Sequence, residues 1–213
     1  ALALALFLAV TAEEKGLLGS EYYAANPLYP LEKTVGVINV DALSPHGPAR
    51  NFTISGSARL DLLDLLVDKA RQRNQAYAPD PKPEAGYFFR SDHFPFAKRG
   101  VPALSFGSGE DWIAGGTAAG KAEEENYTKD RYHQPADEWN PKWPFTGMAS
   151  DLELLYGLGR DLAQGLASML RKDEYFEAFK AGGELRAFEG MRLGKVKPLS
   201  RREVEIRLGE IPA

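Results

Sequence analysis

Short apolar runs alternate along this chain with polar stretches rich in glycine and proline. Leu4–Val10 (Leu-Ala-Leu-Phe-Leu-Ala-Val) is continuously apolar, and Thr34–Val40 (Thr-Val-Gly-Val-Ile-Asn-Val) is short and β-branched. Both patterns predict buried strands. Between them, residues 16–25 predict a helix with Leu17, Leu18, Tyr22 and Ala25 on one face. Phe52–Ser55 adds a candidate strand. Arg59–Arg73 carries Leu60, Leu63, Leu66, Val67 and Ala70 at helical spacing, with acids early and bases late, and predicts an amphipathic helix. Ala78–Gly86 contains three prolines and reads as a loop. Asp92–Arg99 predicts a short helix and Val101–Phe106 another buried strand. Gly107–Pro141 is long, polar and glycine-rich, the pattern of a functional loop or a disordered segment. Gly147–Leu170 predicts a long amphipathic helix. Beyond Arg171 the chain turns charged, with a helix expected at Glu174–Lys180 and an alternating Val204-Glu-Ile-Arg-Leu208 near the end.

Strands alternating with helices point to an α/β fold, a three-layer α/β/α arrangement around a mostly parallel sheet. Residues 1–171 form its body, and residues 172–213 a charged extension. At 213 residues and 44% hydrophobic, the chain is long enough for one sizeable core. Its net charge of −4 disfavours a nucleic-acid binder, which would present a basic face. The chain has no cysteine, so any metal must be held by carboxylate, imidazole or water. No apolar run reaches the ~18 residues of a membrane helix. The opening Ala-Leu repeat has no basic lead and no small-residue cleavage site, so it is read as strand and not as a signal peptide. A chain that starts inside a structural element, without methionine, is expected to be part of a longer protein.

Glu13-Glu14 follows the first apolar run directly. Two carboxylates where a strand gives way to a helix lie at the carboxyl edge of a sheet, where open α/β folds place their chemistry. One could hold a divalent metal while the other takes a proton from metal-bound water. Taken alone, such a pair is more often a solvated first helical turn, favoured by the helix dipole, than a catalytic pair. Asp41 ends the second strand and faces the same choice between a site and ordinary turn chemistry. The chain holds three histidines. His46 sits in a Pro-His-Gly-Pro turn, His93 beside an aromatic-rich segment, and His133 in the long polar loop.

Taken together and in order, Thr11-Ala-Glu-Glu-Lys-Gly-Leu-Leu-Gly-Ser20, Ile38-Asn-Val-Asp41, Arg90-Ser-Asp-His-Phe-Pro-Phe-Ala97 with Gly100-Val-Pro-Ala-Leu-Ser105, and Tyr132-His133 resemble the co-catalytic di-zinc aminopeptidases of the bacterial leucyl aminopeptidase and aminopeptidase Y type. The resemblance covers residues 4–170. It implies a zinc exopeptidase-like fold and a peptide substrate, and it assigns roles. Glu13 resembles the general base that activates the water between the metals. Glu14 and His133 match ligands of one zinc, and Asp41 matches a ligand of the other, bordering the pocket for the substrate's amino group. Tyr132 corresponds to the tyrosine that hydrogen-bonds the carbonyl oxygen as charge develops, and Arg90 to a substrate-binding position. Asp92 and His93 belong to the motif as residues behind the metal ligands.

The match also has a gap. The family's site uses five ligands, and its first histidine and bridging aspartate lie in segments ahead of the Glu-Glu strand. The resemblance therefore implies that this chain lacks part of the ligand set. Weak metal affinity and little or no turnover are expected from it alone. Sheet edge left open by the same gap is expected to pair with the N-terminal portion of the protein or with a second copy. The family also implies export from the cytoplasm. Rival functions on the same scaffold are a carboxypeptidase, a glutaminyl cyclase, or a binding module without metal. Phe88, Phe89 and Trp112 are candidate walls of a side-chain pocket, and zinc, cobalt and manganese all suit the donor types.

Overall fold

The structure, a computed structural model, describes residues 5–57 and 60–170. The helix expected at 174–180, the alternating run at 204–208 and the extension at 172–213 lie outside the described residues.

Four strands, β1 (Val37–Val40), β2 (Asn51–Ile54), β3 (Ala76–Tyr77) and β4 (Ala103–Ser108), form one sheet in the order β1-β4-β2-β3. The β1–β4 and β2–β3 pairs are parallel, and β2–β4 is antiparallel. Among the described residues five α-helices accompany it: α1 (Leu18–Ala25), α2 (Asp61–Arg71), α3 (Phe94–Ala97), α4 (Gly116–Asp130) and α5 (Thr146–Leu170).

Strand alternation explains the layering. Ile38, Leu104, Phe106, Phe52 and Ile54 project to one face, where they meet Leu62, Leu63 and Leu66 of α2 and Leu154, Leu155 and Leu158 of α5 in the main core. Val37, one residue from Ile38, projects to the other face. It packs there with Tyr23 and Ala24 of α1, Phe96 of α3 and Val101. The sheet is thus sandwiched between α2/α5 and α1/α3, the three-layer α/β arrangement. Ser108 ties this body to the loop after β1, accepting from the backbone N–H of Ser44 at 3.0 Å and donating to buried Asp151 of α5 at 2.6 Å.

Three expectations are corrected. The apolar run 5–10 is not a strand: it pairs with none of the four strands among the described residues, and Phe7 is 90% exposed. A strand exists only where a neighbour supplies a hydrogen-bonding ladder, and apolar content cannot substitute for one. The helix after it forms as expected, but Leu18 and Tyr22 face solvent while Ser20 and Ala24 are buried. Close approach selects the small face. A Cβ on Gly19 would lie 2.4 Å from the carbonyl oxygen of Thr11. The loop 107–141 contains the 15-residue helix α4. Most of its surface is solvated, so no apolar stripe announces it. Its closest approach is at Gly120, where a Cβ would meet the carbonyl oxygen of Glu110 at 2.0 Å. Among the described residues no helix is long and apolar enough to cross a membrane.

Candidate active site

Glu13 and Glu14 open a single 3-10 turn, Glu13–Lys15. Ala12 and Leu17 on either side of it hold left-handed backbone at φ 58° and 60°. Left-handed alanine and leucine cost roughly 1–2 kcal/mol each, and strain of this kind gathers at functional sites. The turn is held by backbone bonds from Leu17 to Glu13 at 2.8 Å and from Gly19 to Thr11 at 2.9 Å. It therefore presents both carboxylates, Glu13 half-buried and Glu14 exposed, from a fixed platform.

His133 follows α4. The N–H groups of Arg131 and Tyr132 both donate to the Tyr127 carbonyl, and His133 itself is left-handed at φ 57°. Its ring stacks on that of Tyr132 with centroids 4.0 Å apart. This arrangement carries His133 to the Glu-Glu turn, where its Nε2 lies 3.0 Å from Oε1 of Glu14. Two residues 119 positions apart in sequence meet here, both more than half exposed to solvent.

Asp41 leaves the carboxyl end of β1. The Ser91 hydroxyl donates to its Oδ2 at 3.0 Å, and the Asn39 amide donates to Ser91 Oγ at 2.8 Å and to Ser105 Oγ at 3.3 Å. Sequence reading missed this support. Its signal was the serine opening Ser91-Asp-His, and its confirmation needed Asn39 and Ser105 to share one sheet face. Tyr87, also missed, lies near enough to Tyr132 to act on it electrostatically. Arg90 stands over the Tyr87 ring at 5.4 Å.

Electrostatics link these groups. The Glu13 carboxyl is pushed up, first by partial burial and then by the negative charges of Glu14, Asp41 and Asp92, with His133 opposing. Tyr132 is pushed up by burial and by Glu14, Tyr87, Asp41 and Glu13. Glu13, Glu14, Asp41, Asp92, Tyr132 and His133 thus share one neighbourhood. His93 stands behind it, fully buried, its ring edge-on to Phe88 at 4.8 Å. Burial holds its imidazole down to about 4 against the smaller opposing influence of Asp41. Neither ring nitrogen has a hydrogen-bond partner, nor does Oδ1 of Asp92, among the described residues. His46 makes other contacts: its Nε2 lies 3.2 Å from Oε1 of Glu123, and its ring is tilted against that of Trp112 with centroids 5.0 Å apart.

The profile of Peptidase family M28 matches residues 5–156, a span that contains every group just described. The chain belongs to peptidase family M28. Among solved structures, an aminopeptidase from Aneurinibacillus sp. strain AM-1 is similar at 22% identity with a TM-score of 0.48, over 72% of this chain and 32% of that one. This chain therefore spans about a third of that aminopeptidase. Comparison with curated proteins finds no match.

M28 peptidases imply zinc, and the donors can be tested against it. Donors on one tetrahedral zinc lie roughly 3.3 Å apart, given Zn–N and Zn–O bonds of about 2 Å. Glu14 and His133, at 3.0 Å, fit that spacing and the preferred donor types. The number of donors is smaller than a closed site requires. Among the described residues no group of three or more histidine, aspartate or glutamate side chains is placed to hold one ion.

Proposed function

We propose that this M28 chain carries the working edge of an aminopeptidase, which removes residues from the free amino end of peptides with the help of two zinc ions. The observation that carries the reading is the meeting of Glu14 and His133 at 3.0 Å. Those two would hold one zinc, and Asp41, steadied by Ser91, would contribute to the other. Zinc, when bound, lowers the pKa of its water and polarises a carbonyl. Glu13 accepts the proton of the attacking water and returns it to the departing amine. Its raised pKa suits both steps, since a base and acid used near neutrality works best when its affinity for protons is increased. Tyr132, whose phenol is held protonated, donates a hydrogen bond to the carbonyl oxygen as negative charge grows there. Asp41 borders the space for the substrate's ammonium group, and Arg90 lies at the rim to bind the following residues.

The donor count has a consequence. With two donors for one ion and one for the other among the described residues, against the three or four of a closed zinc site, this chain binds zinc weakly and turns over slowly. Calorimetric titration of the metal-free protein is expected to show weak zinc binding that Glu14→Gln or His133→Ala removes. Any hydrolysis by the zinc-loaded protein is expected on leucyl p-nitroanilide and not on its N-acetylated form. Glu13→Gln should reduce it by about 10²–10⁴-fold, the usual contribution of a proton-transfer group. Zinc binding indifferent to both ligand substitutions, or turnover that prefers the blocked substrate, would contradict the proposal.

A further inference from the structure

Helix α4 docks without an apolar stripe. Its less exposed positions are Gly116, Ala119, Gly120, Glu123 and Tyr127, which recur at helical spacing on one face. Only Gly120 among them is fully buried. Glu123 is the one charged residue of the helix on that face; Lys121, Glu124, Glu125, Lys129 and Asp130 are all exposed. A half-buried carboxylate stands where an ordinary amphipathic helix would place an apolar side chain.

Two basic side chains meet that carboxylate from different parts of the chain. Glu123 accepts from the Arg131 guanidinium, and its Oε1 also lies 3.2 Å from Nε2 of His46. Burial would raise the Glu123 carboxyl, but Arg131 foremost and then His46 hold it below its ordinary value.

Both partners belong to segments that carry site residues. His46 lies in the loop that leaves β1 at Asp41, and this loop is tightly held. The His46 carbonyl accepts from the Gly147 N–H at 2.9 Å, the Pro45 carbonyl accepts from Phe145 at 3.0 Å, and Leu43 packs against the main core. Arg131 opens the turn that bears Tyr132 and His133. Its carbonyl accepts from the Gln134 N–H at 2.8 Å, and the Tyr127 hydroxyl donates to Asp137 at 2.9 Å. Glu123 and Tyr127, on the inward face of α4, thus hold the start and the end of that turn.

We propose that Glu123 is a positioning residue for the site: by joining His46 to Arg131 it fixes the turn bearing His133 against the loop that leaves β1 at Asp41, and so keeps His133 within reach of Glu14. That His133 and Glu14 are zinc donors is the reading given above, and this inference rests on it. An ion pair with this much exposure adds little to stability. The link is therefore expected to show in the placement of His133 and hardly at all in unfolding.

Nuclear Overhauser spectra of the full metal-free chain read that placement, with only three histidine rings to resolve. Contact between the His133 ring and the Glu14 side chain should be present in the wild type and lost in Glu123→Ala, while the urea midpoint hardly moves. Groups that orient metal ligands change affinity by about 10–100-fold, and Glu123→Ala is expected to weaken zinc binding, measured calorimetrically, by about tenfold. His46→Ala should weaken it less, and should add nothing in the double variant, because both substitutions cut one link. Glu125→Ala removes the same charge from an exposed position of the same helix and should match the wild type. If Glu123→Ala fails to fold, Glu123→Gln, which keeps the size and loses the charge, should show both changes.

A His133–Glu14 contact that survives loss of the Glu123 carboxylate, equal weakening by Glu125→Ala, or additive effects of His46→Ala and Glu123→Ala would overturn the proposal. Zinc binding indifferent to Glu14→Gln and His133→Ala would instead overturn the zinc reading. The metal-free contact then decides alone: lost in Glu123→Ala, the positioning role stands; kept, it falls.

Discussion

Phe52→Ala is expected to lower the stability of the folded chain by about 3–5 kcal/mol, the cost of removing a large aromatic from a packed interior. Phe52 is fully buried in β2, stacked on Phe106 of β4 at 5.5 Å and tilted against Tyr77 of β3 at 5.4 Å. It thus joins three of the four strands on the face that receives α2 and α5. Loss of its ring removes both aromatic contacts and leaves a cavity that strands fixed by their ladders cannot close. A domain of this size has only about 5–15 kcal/mol to lose. Urea unfolding followed by circular dichroism should therefore shift sharply to lower denaturant with little change in slope. The same substitution at Tyr22, exposed on α1, should change stability by less than about 0.5 kcal/mol. A Phe52→Ala loss below 1 kcal/mol would mean that this face is not the core.

Acid should weaken the fold through His93. Its imidazole is buried and neutral, with a folded pKa of about 4 against an ordinary 6.5, chiefly because burial disfavours the charged form. Between those values the unfolded chain binds a proton that the folded chain refuses. The stabilisation is complete above pH 6.5, falls as pH drops towards 4, and then levels. The full loss is about 3 kcal/mol at 1.36 kcal/mol for each pKa unit. His93→Leu should flatten this part of the profile, because no partner of the ring nitrogens is lost with the side chain. Stability measured by urea unfolding at intervals from pH 7 to pH 4 checks both curves. A His93→Leu profile as steep as that of the wild type would rule out His93 as the source.

The layers of the fold were legible in the sequence wherever an element buries one side against a large neighbour. The spacing of Leu63, Leu66 and Ala70 predicted the face of α2 that packs on the sheet, and the β-branched run at 34–40 predicted β1. Legibility failed where small residues or missing partners decide the outcome. In α1 the buried side is Ser20 and Ala24, because Gly19 lets the helix close onto Thr11, so the larger and more apolar side faces out. In α4 the one fully buried residue is a glycine and most of the helix is solvated. The run 5–10 reads as a strand by composition but has no ladder among the described residues.

The candidate site shows the same division. Glu13, Glu14, Asp41, Tyr132 and His133 could be picked out by ordered motifs, whereas the serine and asparagine supporting Asp41 needed the register of β1 against β4. The complete burial of His93, edge-on to Phe88, depends on the aromatic segment around it, which no local spacing encodes.

Zinc-edge X-ray absorption on the protein loaded with one equivalent of zinc tests the central claim most directly, since only three histidines can contribute. Nitrogen and oxygen neighbours at about 2.0–2.1 Å with the outer scattering of a single imidazole are the predicted result, and that imidazole signal should vanish in His133→Ala. Zinc without any imidazole, or an imidazole signal that persists in His133→Ala, would contradict it.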